Sequence, residues 1–256
     1  MQRTRTLTLL VVLAVALAGC TSVGPDAAET DTAVDPGGDE ELSITDTEQR
    51  LRAAGSFTTD WSYTVTDVDG TTTMVTDTHR VDLTTNRSYE RFTTSGASGD
   101  SEVETYIADG TSYSRVSTAQ GEMYQLSENP PNVFESATGR SAAIHSDLED
   151  DAQFTGTETY DGVTVSRYEF ADADAWSEYN SDLSTAAFSS TGNVTITDFE
   201  IAVLVDEDGV ARFTTFTVSG ETDDGTEISA EWRYSVTDLG STTVEEPGWL
   251  DEADQS

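Results

Sequence analysis

Lysine is absent from this 256-residue chain; its 12 basic residues are all arginine, set against 49 Asp plus Glu. There is one cysteine, Cys20, so no disulfide or multi-cysteine metal site can form within the chain. There are two histidines, His79 and His145, with no second histidine at ligand spacing, which excludes a His-Glu-x-x-His zinc site. Gly-x-Ser-x-Gly and a glycine-rich phosphate loop are also missing, so no sequence motif points to an enzyme. No catalytic residue, cofactor or metal is expected. The apolar run from Thr6 to Ala18 is too short for the ~20 residues that span a bilayer core, and no period of 20 to 50 residues repeats.

What is present begins with that short run. Arg3 and Arg5 precede it and small residues close it at Leu17-Ala18-Gly19-Cys20, the layout of an export signal. Thr4 separates the two arginines, so the adjacent pair of a twin-arginine signal is not met and the export route is open. Leu-Ala-Gly-Cys resembles the lipobox of prokaryotic lipoproteins. That resemblance implies cleavage after residue 19, a lipid on Cys20, and a protein held on the extracytoplasmic face of the cell membrane.

From Cys20 onward 10 arginines face 49 acids. Self-repulsion of that size strains a compact fold in dilute buffer, whereas at molar salt the Debye length falls to about 3 Å. Four Trp, nine Tyr and nine Phe argue against an acidic disordered chain. Acids without lysine on a folded protein resemble the composition of haloarchaeal proteins. With no basic patch, nucleic acid is not expected as a partner.

Residues 20–42 are rich in Gly, Pro, Asp, Glu, Ala and Thr and read as a disordered acidic tether, with an end-to-end distance of about 25 Å. A single domain is expected over 43–250, and an acidic tail over 251–256. The domain opens with a short helix: Asp46 and Glu48 lie in its first turn, Arg50 and Arg52 near its end, and Gly55 closes it. The period then becomes two. Phe57, Thr59, Trp61, Tyr63 and Val65 share one strand face, and Ile228, Ala230, Trp232, Tyr234 and Val236 share a face of the last strand. Asp-Gly pairs at 69–70, 109–110, 161–162, 208–209 and 224–225 predict hairpin turns. Two helical inserts are expected, over Thr138–Asp150 with Ala137, Ser141, Ile144 and Leu148 on one stripe, and over Asp172–Ala186 with Trp176, Tyr179 and Leu183 on one stripe.

These features together predict an α+β fold: one strongly curved antiparallel sheet, a half-barrel of about eight to ten strands, with helices on its concave face. The strand order, the central helical insert and the lipobox resemble the LolA/LprG-like group of half-barrel lipoproteins. The runs Glu231-Trp232-Arg233-Tyr234-Ser235-Val236-Thr237-Asp238-Leu239-Gly240 and Val244-Glu245-Glu246-Pro247-Gly248-Trp249-Leu250 resemble uncharacterised haloarchaeal surface lipoproteins. What the half-barrel resemblance implies is an apolar ligand, a lipid or a lipidated client, though it carries over no contact residues; the alternation and helical stripes themselves make Phe57, Trp61, Tyr63, Val65, Trp176, Tyr179, Leu183, Ile228, Trp232, Tyr234 and Val236 the candidate apolar-face residues. The other reading is a non-catalytic surface component whose own helices close the core. The oligomeric state is not legible.

Two further patterns complete the sequence reading. Acid-rich stretches at Asp67-Val68-Asp69-Gly70, Asp206-Glu207-Asp208-Gly209 and Asp223-Asp224-Gly225 lack EF-hand spacing and read as turns coated for salt. Asn86-Arg87-Ser88 and Asn193-Val194-Thr195 match the N-glycosylation acceptor pattern, making Asn86 and Asn193 candidate modification sites.

Overall fold

The computed structural model describes residues 41–44, 47–97, 99–139, 148, 151–176 and 194–253. Cys20, Tyr179, Leu183, Asn193 and most of both expected helical inserts lie outside the described residues. After helix α1 (Thr47–Ala54) the chain forms β1 (Ser56–Thr66), β2 (Thr72–Asp82), β3 (Arg87–Ser95), β4 (Ser101–Ala108), β5 (Thr111–Thr118) and β6 (Gly121–Ser127). Helix α2 (Val133–Thr138) follows, then β7 (Gln153–Tyr160), β8 (Val163–Ala171), a 3-10 turn (Ala173–Ala175), β9 (Val194–Asp206), β10 (Ala211–Thr222), β11 (Glu227–Thr237) and α3 (Leu250–Ala253).

The eleven strands among the described residues belong to one open, curved antiparallel sheet, one strand beyond the expected range, in the order β6-β5-β4-β3-β2-β1-β11-β10-β9-β8-β7. It consists of two meanders, β1–β6 and β7–β11, joined where the first strand pairs with the last. The two alternating strands singled out in the sequence are therefore neighbours: Trp61 lies opposite Tyr234 and Tyr63 opposite Trp232. The same order leaves β6 and β7 at opposite edges of the sheet.

Hairpin chemistry explains the meanders. All five Asp-Gly pairs turn hairpins, but in two ways. At 109–110 and 161–162 both residues have positive φ (52° and 79°; 49° and 75°), the requirement of a two-residue type I′ turn. At the other three pairs only glycine is left-handed, and the residue two positions before the pair closes a longer turn by bonding both ways with the chain, as in Asp206 N–H to the Val210 carbonyl and Gly209 N–H to the Asp206 carbonyl. The acids of these turns cap backbone groups. Asp67 accepts from the N–H of Asp69 and Thr71 at 3.0 Å each; Asp206 accepts from the N–H of Asp208 and Val210 and from Arg212 Nε at 2.7 Å.

The core lies on the sheet face that carries Phe57, which we call the inner face. Leu51 of α1 and Val133, Phe134 and Ala137 of α2 are buried on it, and the Phe134 ring meets Phe57 edge-on at 5.8 Å. Asn132 starts α2 by accepting from the N–H of Phe134 and Glu135. Leu42 is also buried there, so ordered packing begins one residue ahead of the expected domain start.

A smaller cluster covers the opposite face of β4–β6. After β11 the chain turns through Asp238 and Gly240, whose N–H bonds the Ser56 carbonyl at 2.7 Å, and runs back across the sheet. Trp249 and Ala253 are buried there with Tyr106 and Ala108. Residues 251–253 thus close α3 against the sheet, and Glu252 accepts from the Tyr124 hydroxyl at 2.6 Å; the expected acidic tail cannot begin before residue 254. Among the described residues no helix is long and apolar enough to cross a membrane.

Candidate functional site

Pairing register converts sequence alternation into rows that cross the whole sheet. One inner-face row runs Met123, Val116, Val103, Phe92, Asp77, Trp61, Tyr234, Thr214, Val203, Tyr168, Phe154, one residue from each strand. Alongside it run Val75, Tyr63, Trp232, Phe216, Ile201 and Phe170. A third row holds Val65, Ala230, Val218 and Phe199.

The rows concentrate aromatic rings. Trp232 stacks on Phe216 at 5.6 Å and on Tyr234 at 6.1 Å, Trp61 stacks on Tyr63 at 6.4 Å, and Trp176 meets Phe199 edge-on at 5.2 Å. Spacings of 4.5–7 Å are those at which rings attract beyond simple burial. Of the apolar residues expected to face a ligand, Phe57, Trp61, Tyr63, Val65, Trp176, Trp232, Tyr234 and Val236 all belong to or pack against this inner core. Ile228 is buried on the same face, opposite Gly220. Two hydroxyls on this face, Tyr63 Oη and Thr214 Oγ1, are buried with no hydrogen-bond partner among the described residues. Burial pushes the Tyr63 phenol above its ordinary pKa.

Asp77 is the only charged residue in the eleven-strand row. Two residues along β2, on the same face, stands His79, and opposite His79 on β3 stands Glu90. His79 Nε2 lies 3.2 Å from Asp77 Oδ1 and 3.3 Å from Glu90 Oε1, and one ligand atom from each of the three residues lies within 4.8 Å of the other two. The Asp77 and His79 side chains are 1% and 8% exposed, Glu90 30%. Burial pushes the imidazole pKa down, but hydrogen bonding and charge from Asp77 and Glu90 outweigh it and raise it to about 9. Spacing between histidines along the chain does not reveal this cluster, which holds a single histidine. Its signal is a pair of charged residues in an apolar register: Val75, Asp77, His79 and Val81 alternate on one face of β2.

The outer face carries a second polar cluster. Glu104, buried, accepts from the Tyr89 hydroxyl and from Arg115, whose guanidinium lies 5.8 Å from the Trp249 ring centre. Burial pushes the Glu104 carboxyl up, but Tyr89, Arg115 and Trp249 outweigh it and hold it below the usual range. A cavity of about 260 Å³ opens beside it between Arg80, Tyr89, Glu246 and Trp249. Asn86 is exposed at the β2–β3 turn in a left-handed conformation (φ 54°), while Ser88 of the same acceptor pattern is buried.

Among solved structures the chain is similar to LprF from Mycobacterium bovis, at 9% identity over 80% of this chain and 98% of that one, with a TM-score of 0.36. It is similar to a LolA superfamily protein from Nitrosomonas europaea, at 11% identity over 83% and 100%, TM-score 0.22. A β-barrel-like protein of a domain of unknown function (DUF1849) from Brucella abortus matches at 10% identity over 71% and 97%, TM-score 0.21. No curated protein matches the sequence. A family profile matches residues 5–253, nearly the whole length, and the chain belongs to that family, described as a family of unknown function (DUF7537).

Proposed function

We propose that this is a non-enzymatic extracytoplasmic lipoprotein of a halophilic archaeon, anchored through Cys20, that holds an apolar ligand, a lipid or lipidated client, against the inner face of its sheet. The observation that carries the reading is the pair of buried, unpartnered hydroxyls, Tyr63 Oη and Thr214 Oγ1, set among the aromatic rows. A buried hydroxyl without a partner costs on the order of 1–3 kcal/mol. A ligand with an apolar body and a polar end offsets that cost by supplying the missing hydrogen bonds, and the aromatic rows match its body.

The anchor rests on the lipobox-like Leu17-Ala18-Gly19-Cys20, and the salt-rich habitat on 49 acids against 12 arginines. Lipid labelling is expected to vanish in Cys20→Ser, and unchanged membrane retention of that variant would refute anchorage through the thiol. For the ligand, protein purified in molar KCl is extracted with organic solvent and the extract analysed by mass spectrometry, then the emptied protein is offered a fluorescent acyl probe. Copurified lipid or probe uptake, weakened in Tyr63→Phe and Thr214→Val, is expected.

A second reading, a surface component with a closed core, is favoured by one observation: Phe216, Trp232 and Tyr234 are at most 8% exposed within the chain's own fold. Absence of both lipid and probe uptake would establish it over the first.

A further inference from the structure

We infer that Asp77, His79 and Glu90 form a binding site for a divalent first-row transition cation, with Asp77 Oδ1, His79 Nε2 and Glu90 Oε1 as ligands. The inference is independent of the apolar-ligand reading.

Geometry comes first. Four-coordinate zinc has bonds of about 2.0–2.1 Å, and tetrahedral angles then put any two ligand atoms about 3.3–3.4 Å apart. The observed nitrogen-to-oxygen separations are 3.2 and 3.3 Å. A single N–H cannot point linearly at both oxygens, whereas a metal bound to all three requires this convergence. One carboxylate oxygen from each acid lies within 4.8 Å of the other, and Glu90, the most exposed of the three, has the freedom to bring that edge to bonding geometry.

Donor chemistry is the second argument. Two carboxylates and an imidazole bring together the anionic and neutral donors that a divalent transition cation takes, and the two nearest the core, Asp77 and His79, are buried. Register supplies the third argument. Asp77 and His79 are fixed two residues apart on one strand and Glu90 is fixed opposite by β2–β3 pairing, so the donor atoms stand on rigid sheet. One nitrogen and two oxygens suit zinc, cobalt, nickel or manganese better than calcium, which takes six to eight oxygens. Three protein ligands leave the fourth position to water or to a donor atom of another molecule.

The test uses the full-length protein in detergent and molar KCl, where abundant potassium occupies the surface acids. Zinc is titrated calorimetrically and Co²⁺ spectroscopically into wild type, Glu90→Gln and His79→Gln after chelation, with circular dichroism confirming the fold of each. One equivalent of zinc is expected to bind wild type and raise its melting temperature, and Co²⁺ to give the intense visible bands of four-coordination. Folded Glu90→Gln is expected to lose both, weakening zinc by more than the ~10–100-fold that loss of a ligand's supporting partner costs. Binding that is weak and non-stoichiometric in wild type, or equal in the variants, or a six-coordinate cobalt spectrum unchanged by either substitution, would overturn the assignment.

Discussion

Replacing His79 with leucine, with a chelator present, should destabilise the protein far more than any exposed ion pair could. The magnitude follows from burial. Asp77 is 1% exposed and His79 lies 3.2 Å from it, so the imidazole is the near positive charge facing that carboxylate from its own strand. Removing one partner of a buried pair typically costs about 3–5 kcal/mol, because the remaining charge is stranded. For a domain of this size each kcal/mol moves the melting temperature by about 2–4 °C, so a drop of roughly 6–20 °C is expected. Molar salt screens exposed pairs such as Arg233 with Glu231 but leaves the buried cluster largely unscreened. Replacing Asp77, His79 and Glu90 together with leucine should recover most or all of the loss, since apolar substitutes of buried ion clusters are neutral or stabilising by about 1–4 kcal/mol. Thermal unfolding in 2 M KCl, taken as a roughly molar condition, measures all variants. A His79→Leu protein within about 1 kcal/mol of wild type, or a triple variant as unstable as the single, would refute the reasoning that the imidazole compensates Asp77.

The remaining predictions concern the turns, the outer face and the aromatic core. Asp109→Ala and Asp161→Ala each place alanine at a left-handed φ and should cost about 1 kcal/mol in denaturant melts; Asp69→Ala, whose φ is not positive, should cost less, and equal losses would contradict the two-class turn assignment. The Glu104 carboxyl is held low in the folded state, so its contribution is present above the unfolded pKa and is lost as pH falls through the folded one. Glu104→Gln should therefore flatten the acid limb of the stability profile, and an unchanged acid limb would show that Tyr89 and Arg115 do not stabilise the carboxylate. Phe216→Ala, removing a ring 1% exposed and stacked on Trp232, should cost about 3–5 kcal/mol by chemical denaturation; a loss below 1 kcal/mol would mean that this part of the inner face is not tightly packed.

Much of the fold was written locally. Alternation on β1 and β11 marks their buried faces, and Asp-Gly pairs mark five hairpins, because both signals depend on residues within a few positions of one another. The helix at Thr47–Ala54 was legible for the same reason: its acids, arginines and closing glycine sit inside one short segment. Ala119–Gln120, which turns β5 into β6, carries no Asp-Gly signal, so that hairpin is not marked in the sequence in the same way. Trp249 is a case of partial legibility. The run from Val244 to Leu250 was visible as a motif, but that it straps the outer face of β4–β6 depends on where β11 ends, and pairing across the whole domain decides that.

The cluster of Asp77, His79 and Glu90 was missed for a different physical reason. Metal and catalytic motifs are recognised by spacing along the chain, which suits helices and tight loops where a few residues bring side chains together. In a sheet the nearest neighbour of a side chain is as often across the ladder as along the strand, and its chain separation is set by hairpin length. His79 meets Asp77 two residues away, but Glu90 comes from the next strand by register, and a shift of one residue would turn Glu90 to the other face. The β2–β3 turn from Leu83 to Asn86, with Asn86 left-handed, sets that register. The exposed turn that carries a glycosylation pattern is thus also the element that aligns the donor atoms of Asp77, His79 and Glu90.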